Sequence, residues 1–356
     1  MRLNLLKTIF DNSISSSSLK NSELDYLIKN CEKHRIKQIF INHLDMAKDQ
    51  RSNFREYAKK YTRYSLTRDL NILSEIDRLA QILKNENINF VFLKGAAFKR
   101  TLYENSSSRD CRDIDILVTA ADVKPTLEAL FKNGYKYVVA KESKNTQIDY
   151  VNSHQAPVLV SSNGQYVEVH YRITMEGNKC KLSEDMLEKQ TNHIAPSNLN
   201  LMHVSYHALM VNKLNNGLMS LVDIHYLLKN LPKNEVMIAA ERYNLGGVIK
   251  HMVELYELNF LDKQFNQKKL DILNMSNELI HAGEALVGFK VYSKSINNFH
   301  KKYLGSARGD LNLFKANISL SGYIFNKLFL HIMSVIKNPD LWCKRTRLKK
   351  YLEKEF

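Results

Sequence analysis

The chain has 356 residues, 44% of them hydrophobic and 25% charged, and this ordinary globular balance excludes wholesale disorder. It is long enough for one large or two medium domains, and its 12 Gly and 5 Pro argue against a collagenous or turn-dense all-β chain. Lys and Arg outnumber Asp and Glu by 52 to 37, a formal net charge of +15. This excess favours a polyanionic partner such as nucleotide phosphates, RNA or an acidic membrane surface.

Cysteine spacing and the lengths of the apolar stretches bear on where the chain works. Its four cysteines lie far apart and have neither zinc-ligand spacing nor the pattern of a disulfide framework. The first residues lack an apolar run of signal-peptide length, and no stretch approaches the about 18 uninterrupted apolar residues of a membrane span. The sequence therefore predicts a cytoplasmic protein without a membrane-spanning segment.

Residues 1–86 are predicted to form an N-terminal helical region. Apolar residues recur at helical spacing over a long stretch that ends with Leu70 to Leu83. Ser65, Thr67 and Asp69 are residue types that cap helix N-termini, so a new helix is expected to begin beside them.

Residues 87–195 are predicted to form a small mixed β-sheet with short helices. The apolar run Ile88–Gly95 indicates a buried strand that enters a turn, and Cys111–Val118 alternates charged and apolar residues with the period of a strand. A helix is expected over Asp122–Lys132, and Ser162-Asn163-Gly164 between two apolar stretches indicates a hairpin. The fold class expected is α+β.

Residues 196–356 are predicted to form a larger C-terminal helical domain, since apolar residues recur at helical spacing up to the segment Ile318–Ile336. Charge is distributed unevenly: residues 1–90 carry a net +5, residues 91–195 carry +1, and residues 196–356 carry +9. The nearly neutral centre, with 14 basic and 13 acidic side chains, favours a bound cation such as a metal ion there.

Three carboxylates of the centre form a candidate metal site. Asp113 and Asp115 lie two residues apart on a predicted strand, so both side chains leave the same face of the sheet. Glu168 lies between two valines on a later strand, and adjacent strands would bring the three groups together. Like charges held this close share a metal ion or shift a pKa, and oxygen ligands suit Mg²⁺ or Mn²⁺. A solvated edge strand is the simpler alternative for the Asp pair taken alone.

The segment LKGAAFKRTLYENSSSRDCRDIDILV (residues 93–118) resembles the signature block of the uncharacterised nucleotidyltransferase family, within the DNA polymerase β-like superfamily. The shared features are the LKG turn, an Arg four residues before the first Asp, and D-I-D followed by two hydrophobic residues. The similarity continues in VEVHY (residues 167–171) and in HVSYHALMVNKLNNGLMSLVDIHYLL (residues 203–228), and spans about residues 60–230. It implies a polymerase β-like core flanked by the helical regions.

The resemblance also implies a reaction, the transfer of a nucleoside monophosphate from an NTP to an acceptor hydroxyl with release of pyrophosphate. Asp113 and Asp115 would hold two metal ions, and Glu168 would bind the one nearer the acceptor and help to deprotonate its hydroxyl. His170 shares the face of Glu168 and is expected behind the metal ligands; the alternative is a packed core histidine.

A nucleotide-binding role is expected for the Lys-Gly turn. Lys94 can place a point charge on the phosphates, and the backbone of Gly95 and Ala96 can bind them. In the superfamily this turn usually reads Gly followed by Gly or Ser, whereas Ala96 supplies no hydroxyl. Within the turn, the backbone amides must therefore bind phosphate without help from a side-chain hydroxyl.

Two further residues are candidates for nucleotide contacts. Arg109 is predicted either to contact the triphosphate or to pair with Asp110 or Glu104. Asp223 matches an Asp of the family's helical segment, and is expected to contact the nucleotide, to orient a basic partner, or to serve only as a helix cap or surface charge.

The remaining histidines carry weaker signals. His203 and His207 lie four residues apart and can bind zinc from one helix face, but an intervening Glu and a third ligand are lacking, so no zinc is expected. His154 precedes a predicted strand.

The acceptor stays open among a small molecule, a glycan precursor and a protein. A toxin-like nucleotidyltransferase acting on tRNA or other RNA is an alternative, because the charge of +15 and the basic run Trp342–Lys350 suit a polyanion. A non-catalytic nucleotide-binding scaffold is a second alternative, against which the intact Asp113, Asp115 and Glu168 argue.

Overall fold

The structure is a computed structural model that describes residues 5–11, 14–138, 153–174, 180–212, 214, 217–261, 263–282, 340, 343–344 and 346–348. The chain divides into two compact units. Unit 1 comprises Met1–His207 with Met219–Lys263, and unit 2 comprises Ala208–Leu218 with Gln264–Phe356. Unit 1 contains the sheet and every candidate site residue. The predicted helix Ile318–Ile336 and four of the nine residues of the basic run 342–350 lie outside the described residues.

Helices precede the sheet in unit 1, as the apolar spacing predicts. They are α1 Leu5–Phe10, α2 Asn21–Lys33, α3 Lys37–His43 and α4 Ser52–Asn85. Helix α4 is continuous over 34 residues, so the prediction that a new helix begins beside Ser65, Thr67 and Asp69 is wrong. Two of these side chains have tertiary partners instead: the Ser65 hydroxyl donates to the carbonyl of Ser107 at 3.2 Å, and Asp69 accepts from Lys99.

A five-stranded mixed sheet forms the centre of unit 1, which confirms the predicted fold class. Its strands are β1 Phe90–Phe92, β2 Asp113–Val118, β3 Lys136–Tyr137, β4 Leu159–Val160 and β5 Tyr166–His170, in the spatial order β1-β2-β5-β4-β3. Strands β2 and β5 are parallel, and every other neighbouring pair is antiparallel. Neither of the two parallel strands is an edge strand of the sheet.

One face of the central strands is apolar and fully buried. Ile114 and Ile116 on β2 pack there with Val167 and Val169 on β5, each at most 1% exposed. Because side chains alternate across a strand, this apolar face directs the intervening residues to the opposite face. The hydrophobic period thus determines which side of the sheet carries the acidic residues.

Short helices connect and follow the strands. Within unit 1 these are α5 Lys94–Thr101, α6 Val123–Lys132, α7 Leu182–Glu188, α8 Ser197–Tyr206, α9 Met219–Leu228, α10 Lys233–Arg242 and α11 Gly246–Phe260. A π-helical turn runs from His207 to Val211, and unit 2 contains α12 Gln267–Ala282. Among the described residues, no helix combines the length and apolarity that a membrane crossing requires.

The predicted hairpin is present between β4 and β5. Gly164 adopts a φ of +80° at its tip, a left-handed conformation that favours glycine, and its amide donates to the carbonyl of Ser161 at 3.0 Å. The hairpin returns the chain as β5 beside β2, which positions Glu168.

Candidate active site

The candidate acidic residues lie on the polar face of β2 and β5. Asp115 pairs in register with Glu168, and Asp113 pairs with Tyr166 two residues earlier on each strand. Since in-register residues of parallel neighbours project to the same side, Asp113, Asp115 and Glu168 share one face of the sheet. The structure therefore brings together the three carboxylates that the sequence singles out.

Asp115 is the most buried of these carboxylates and has two hydrogen-bond partners. Its Oδ1 accepts a hydrogen bond from Lys94 Nζ at 2.8 Å and a second one from His170 Nε2 at 2.8 Å. The Asp115 side chain is only 2% exposed, and burial alone would raise its pKa. The charges of Lys94 and His170 outweigh burial and hold the pKa of Asp115 well below its usual range.

Glu168 and His170 complete a compact donor cluster with Asp115. His170 Nε2 lies 3.6 Å from Glu168 Oε2, and one donor atom from each of the three residues lies within 4.8 Å of the other two. Burial lowers the pKa of His170, but its hydrogen bond to Asp115 and the nearby Glu168 carboxylate reverse the effect and leave that pKa above its usual value. Among the described residues this is the one group of three or more His, Cys, Asp or Glu close enough to hold a metal ion.

Asp113 lies at the exposed rim of the cluster and is not one of these three residues. The neighbouring Asp115 carboxylate raises the pKa of Asp113 to about 6, an effect that Lys94 partly opposes. The positive charge of Arg35, from the turn between α2 and α3, also acts on Asp113. The N-terminal helical region thus contributes a cation near the site, and no motif in the sequence signals that contribution.

A tight turn positions Lys94 over Asp115. The Leu93 amide donates to the Asp115 carbonyl at 3.0 Å, which fixes the end of β1 against β2. Lys94 itself adopts a φ of +46°, a left-handed conformation that is uncommon for a residue with a side chain. The strand pairing and this conformation together direct the ammonium group at the carboxylate face.

Gly95 follows because no side chain fits at that position. A Cβ atom on Gly95 would lie 2.7 Å from the Cys111 Sγ and 3.3 Å from the Cys111 Cβ. Ala96 is fully buried, so its methyl group belongs to the packed core. The glycine of the LKG turn is therefore explained by the close approach of the segment that leads into β2.

We expect Gly95→Ala to destabilise unit 1 by about 1–3 kcal/mol, because the new methyl group overpacks the contact with Cys111. Chemical denaturation measures the effect. The double variant Gly95→Ala/Cys111→Ala removes the clashing sulfur, so it is expected to recover more than half of the loss. Equal stability of the single and double variants would contradict this explanation of the glycine.

Arg109 and Asp223, both predicted to contact nucleotide, form a buried ion pair with each other. Arg109 Nε and Nη2 donate to the two Asp223 carboxylate oxygens at 2.8 and 2.9 Å, and the Tyr103 hydroxyl donates to Asp223 Oδ1 at 2.6 Å. Asp223 is 1% exposed within α9, so its use as a helix cap or surface charge is wrong. Its basic partner in the structure is Arg109.

The ion pair proposed for Arg109 with Asp110 or Glu104 is also wrong. Asp110 pairs instead with Arg68 of α4 at 2.6 Å, while Arg109 contacts Asp110 only through the backbone carbonyl. The Arg109–Asp223 pair joins the segment before β2 to α9. The sequence gives Tyr103 no role, although a Tyr after the LKG turn is one of the features that the chain shares with the family.

The histidines that the sequence singles out as weaker candidates are His154, His203 and His207. The rings of His203 and His207 lie 6.0 Å apart, and those of His154 and His170 lie 5.4 Å apart. His203 is 2% exposed, and burial lowers its pKa well below the usual value. Among the described residues, His203 and His207 belong to no group of three metal-ligating side chains.

The structure places carboxylates on two neighbouring parallel strands of a mixed sheet, with the Lys-Gly turn beside them. A family profile described as an uncharacterised nucleotidyltransferase matches residues 20–260, more than half of the chain. The chain therefore belongs to this uncharacterised nucleotidyltransferase family, and membership supports nucleotidyl transfer in general terms.

Comparison with solved structures and curated proteins adds little beyond the family. The chain is similar to the antibiotic-resistance factor ANT(2'')-Ia, with 12% sequence identity and a TM-score of 0.35, over 52% of this chain and 99% of that one. No curated protein matches the sequence.

Proposed function

We propose that this chain is a metal-dependent nucleotidyltransferase that moves a nucleoside monophosphate from an NTP to an acceptor hydroxyl and releases pyrophosphate. The observation that carries the proposal is the in-register pairing of Asp115 with Glu168, next to Asp113 and Lys94, on one polar face of the sheet. A merely solvated edge strand does not explain this arrangement, because β2 is a central strand and Asp115 is buried.

The residues present fit a divalent metal ion. Carboxylate oxygens of Asp115 and Glu168, with Asp113 at the rim, are the donors that Mg²⁺ and Mn²⁺ prefer. His170 Nε2 lies within the same cluster, and if metal binding displaced its proton the imidazole would add a nitrogen ligand, which shifts the preference from Mg²⁺ toward Mn²⁺. We therefore expect both ions to support the reaction, with Mn²⁺ bound more tightly.

The chemistry would be a phosphoryl-transfer displacement. A divalent metal supplies Lewis-acid stabilisation of charge on the α-phosphate and on the leaving pyrophosphate. Glu168, with a side chain 23% exposed and a pKa held below its usual value, is ionised and can accept the proton of the acceptor hydroxyl. The acceptor oxygen bonds to the α-phosphorus, and the bond from that phosphorus to the pyrophosphate oxygen breaks.

The turn beside the carboxylates would bind the triphosphate. Lys94 can place its ammonium group on the phosphates. Gly95 and Ala96 lie in the first turn of α5, and the backbone amides at the N-terminal end of a helix can bind anions. Arg109 and Asp223 would act indirectly, since their side chains bind each other.

The catalytic unit that we propose extends beyond the central segment. The boundaries expected from sequence, residues 1–86, 87–195 and 196–356, stay a prediction. The Arg109–Asp223 pair supports a unit that includes α9 as well as the sheet, because it joins them within unit 1.

Incubation with each α-labelled NTP in turn, in Mg²⁺ or Mn²⁺, together with a cell extract tests the reaction. Transfer of label to a protein, a glycan precursor or another small molecule is the expected result, and it names the acceptor class. Label that enters RNA would favour the alternative hypothesis of a toxin-like nucleotidyltransferase acting on RNA, which is consistent with the net charge of +15. If no NTP yields a labelled product with either metal, the proposal is wrong and a non-catalytic nucleotide-binding role takes its place.

A further inference from the structure

Asp115 is already neutralised by two side chains of its own protein. Lys94 Nζ and His170 Nε2 both donate to the same oxygen, Oδ1, each at 2.8 Å. Because the Asp115 side chain is 2% exposed, water contributes little to its solvation, and these two donors replace the solvent. A metal ion that binds Asp115 must therefore compete with groups that are already there.

Lys94 is the fixed positive charge of this cluster. Its side chain is 16% exposed, and Asp115, Glu168 and Asp113 all act on its ammonium group. The left-handed backbone at φ +46° and the amide hydrogen bond from Leu93 to the Asp115 carbonyl hold it in this position. Burial of an ammonium is tolerated only with such compensation.

We propose that Lys94 is the resident counter-ion of Asp115 and that it transfers to the NTP phosphates when the metal ion binds, so that metal and NTP bind cooperatively. This inference rests on the proposed function. A divalent ion beside the ammonium would place like charges in one poorly solvated cluster, so the metal alone binds weakly. The triphosphate gives Lys94 a new anionic partner and frees Asp115 for the metal.

Under this proposal, the lysine that follows β1 has two anionic partners in turn, Asp115 and the NTP phosphates. A phosphate-binding lysine needs only to reach the nucleotide, whereas Lys94 also makes the 2.8 Å contact that neutralises the site before the nucleotide arrives. Linkage makes the effect reciprocal: whatever factor the NTP adds to metal affinity, the metal adds to NTP affinity.

The test is a titration of the full-length chain with Mn²⁺, followed by electron paramagnetic resonance, with and without α,β-methylene analogues of ATP and GTP. For the wild type, we expect an analogue to raise Mn²⁺ affinity by about tenfold or more, within the usual range of coupling between sites. Lys94→Met removes the competing charge, so it should bind Mn²⁺ alone about tenfold more tightly than the wild type and lose most of the coupling.

Two further variants control for charge and folding. Lys94→Arg keeps a positive charge and should retain weak binding of Mn²⁺ alone. Lys124→Met removes an 82% exposed lysine on α6 and should titrate like the wild type. Melting curves without metal establish whether each variant is folded. If Lys94→Met does not fold, Lys94→Arg is used for the test.

Distinct outcomes separate this inference from the proposed function. Mn²⁺ affinity that does not rise in Lys94→Met, or coupling that survives unchanged there, overturns the counter-ion role even if label transfer is observed. The same holds if Lys94→Arg binds Mn²⁺ alone much more tightly than the wild type. Tighter Mn²⁺ binding by Lys94→Met without any NTP-dependent labelling supports the counter-ion role and refutes the proposed reaction instead.

Discussion

Replacement of Asp115 by Asn is expected to lower nucleotidyl transfer by at least about a thousandfold, because the variant loses the most buried carboxylate of the proposed metal site. Lewis-acid stabilisation by a metal is worth several kcal/mol, and about 1.4 kcal/mol corresponds to a factor of ten in rate. Asn keeps the shape and one oxygen acceptor for Lys94 and His170, so the fold should persist. The measurement is the initial rate of label transfer at saturating metal and NTP.

Matched variants separate a lost ligand from a damaged fold. Glu168→Gln and Asp113→Asn alter the other two carboxylates of the face and should also reduce the rate strongly. Asp77→Asn changes a carboxylate that is 68% exposed on α4, and should leave the rate unchanged. If Asp115→Asn retained more than a tenth of the wild-type rate, Asp115 would not be a metal ligand in the reaction.

The acidic face illustrates what a local pattern can predict. Charged and apolar residues alternate from Asp113, and Glu168 lies between two valines. Both patterns involve only adjacent residues, so the strands and their polar face can be predicted from the sequence. The pairing of Asp115 with Glu168 agrees with the family resemblance but has no local signal. The contact between Asp115 and His170 spans 55 residues, and only the folded sheet creates it.

The misplaced helix start shows the complementary limit. Ser65 and Asp69 have the chemistry of N-caps, and a single sequence cannot distinguish a cap from a side chain that bonds to a distant segment. Here the distant partners are the Ser107 carbonyl and Lys99, 42 and 30 residues away. The same holds for Lys94, whose position in the LKG turn gives no hint of its 2.8 Å contact with Asp115.

The ion pair of Arg109 with Asp223 is the clearest case of a site residue whose partner the sequence conceals, since 114 residues separate the two. Asp223→Ala is expected to destabilise unit 1 by about 3–5 kcal/mol, because it leaves the Arg109 guanidinium buried without its counter-charge. The Tyr103 hydroxyl loses its acceptor in the same variant, which adds to the loss. The shift of the denaturant midpoint measures the effect.

A double-mutant cycle distinguishes this structural role from a direct contact with nucleotide. Arg109→Met/Asp223→Leu replaces both charges with apolar groups and should be more stable than Asp223→Ala, since no buried charge is left unpaired. Partial activity of the double variant would assign Arg109 and Asp223 to positioning the strand that carries Asp113 and Asp115. Asp223→Ala could instead keep the wild-type stability and only raise the KM for NTP. This result would contradict a structural ion pair, because a buried counter-charge would be lost without any loss of stability, and it would assign Asp223 to direct nucleotide binding.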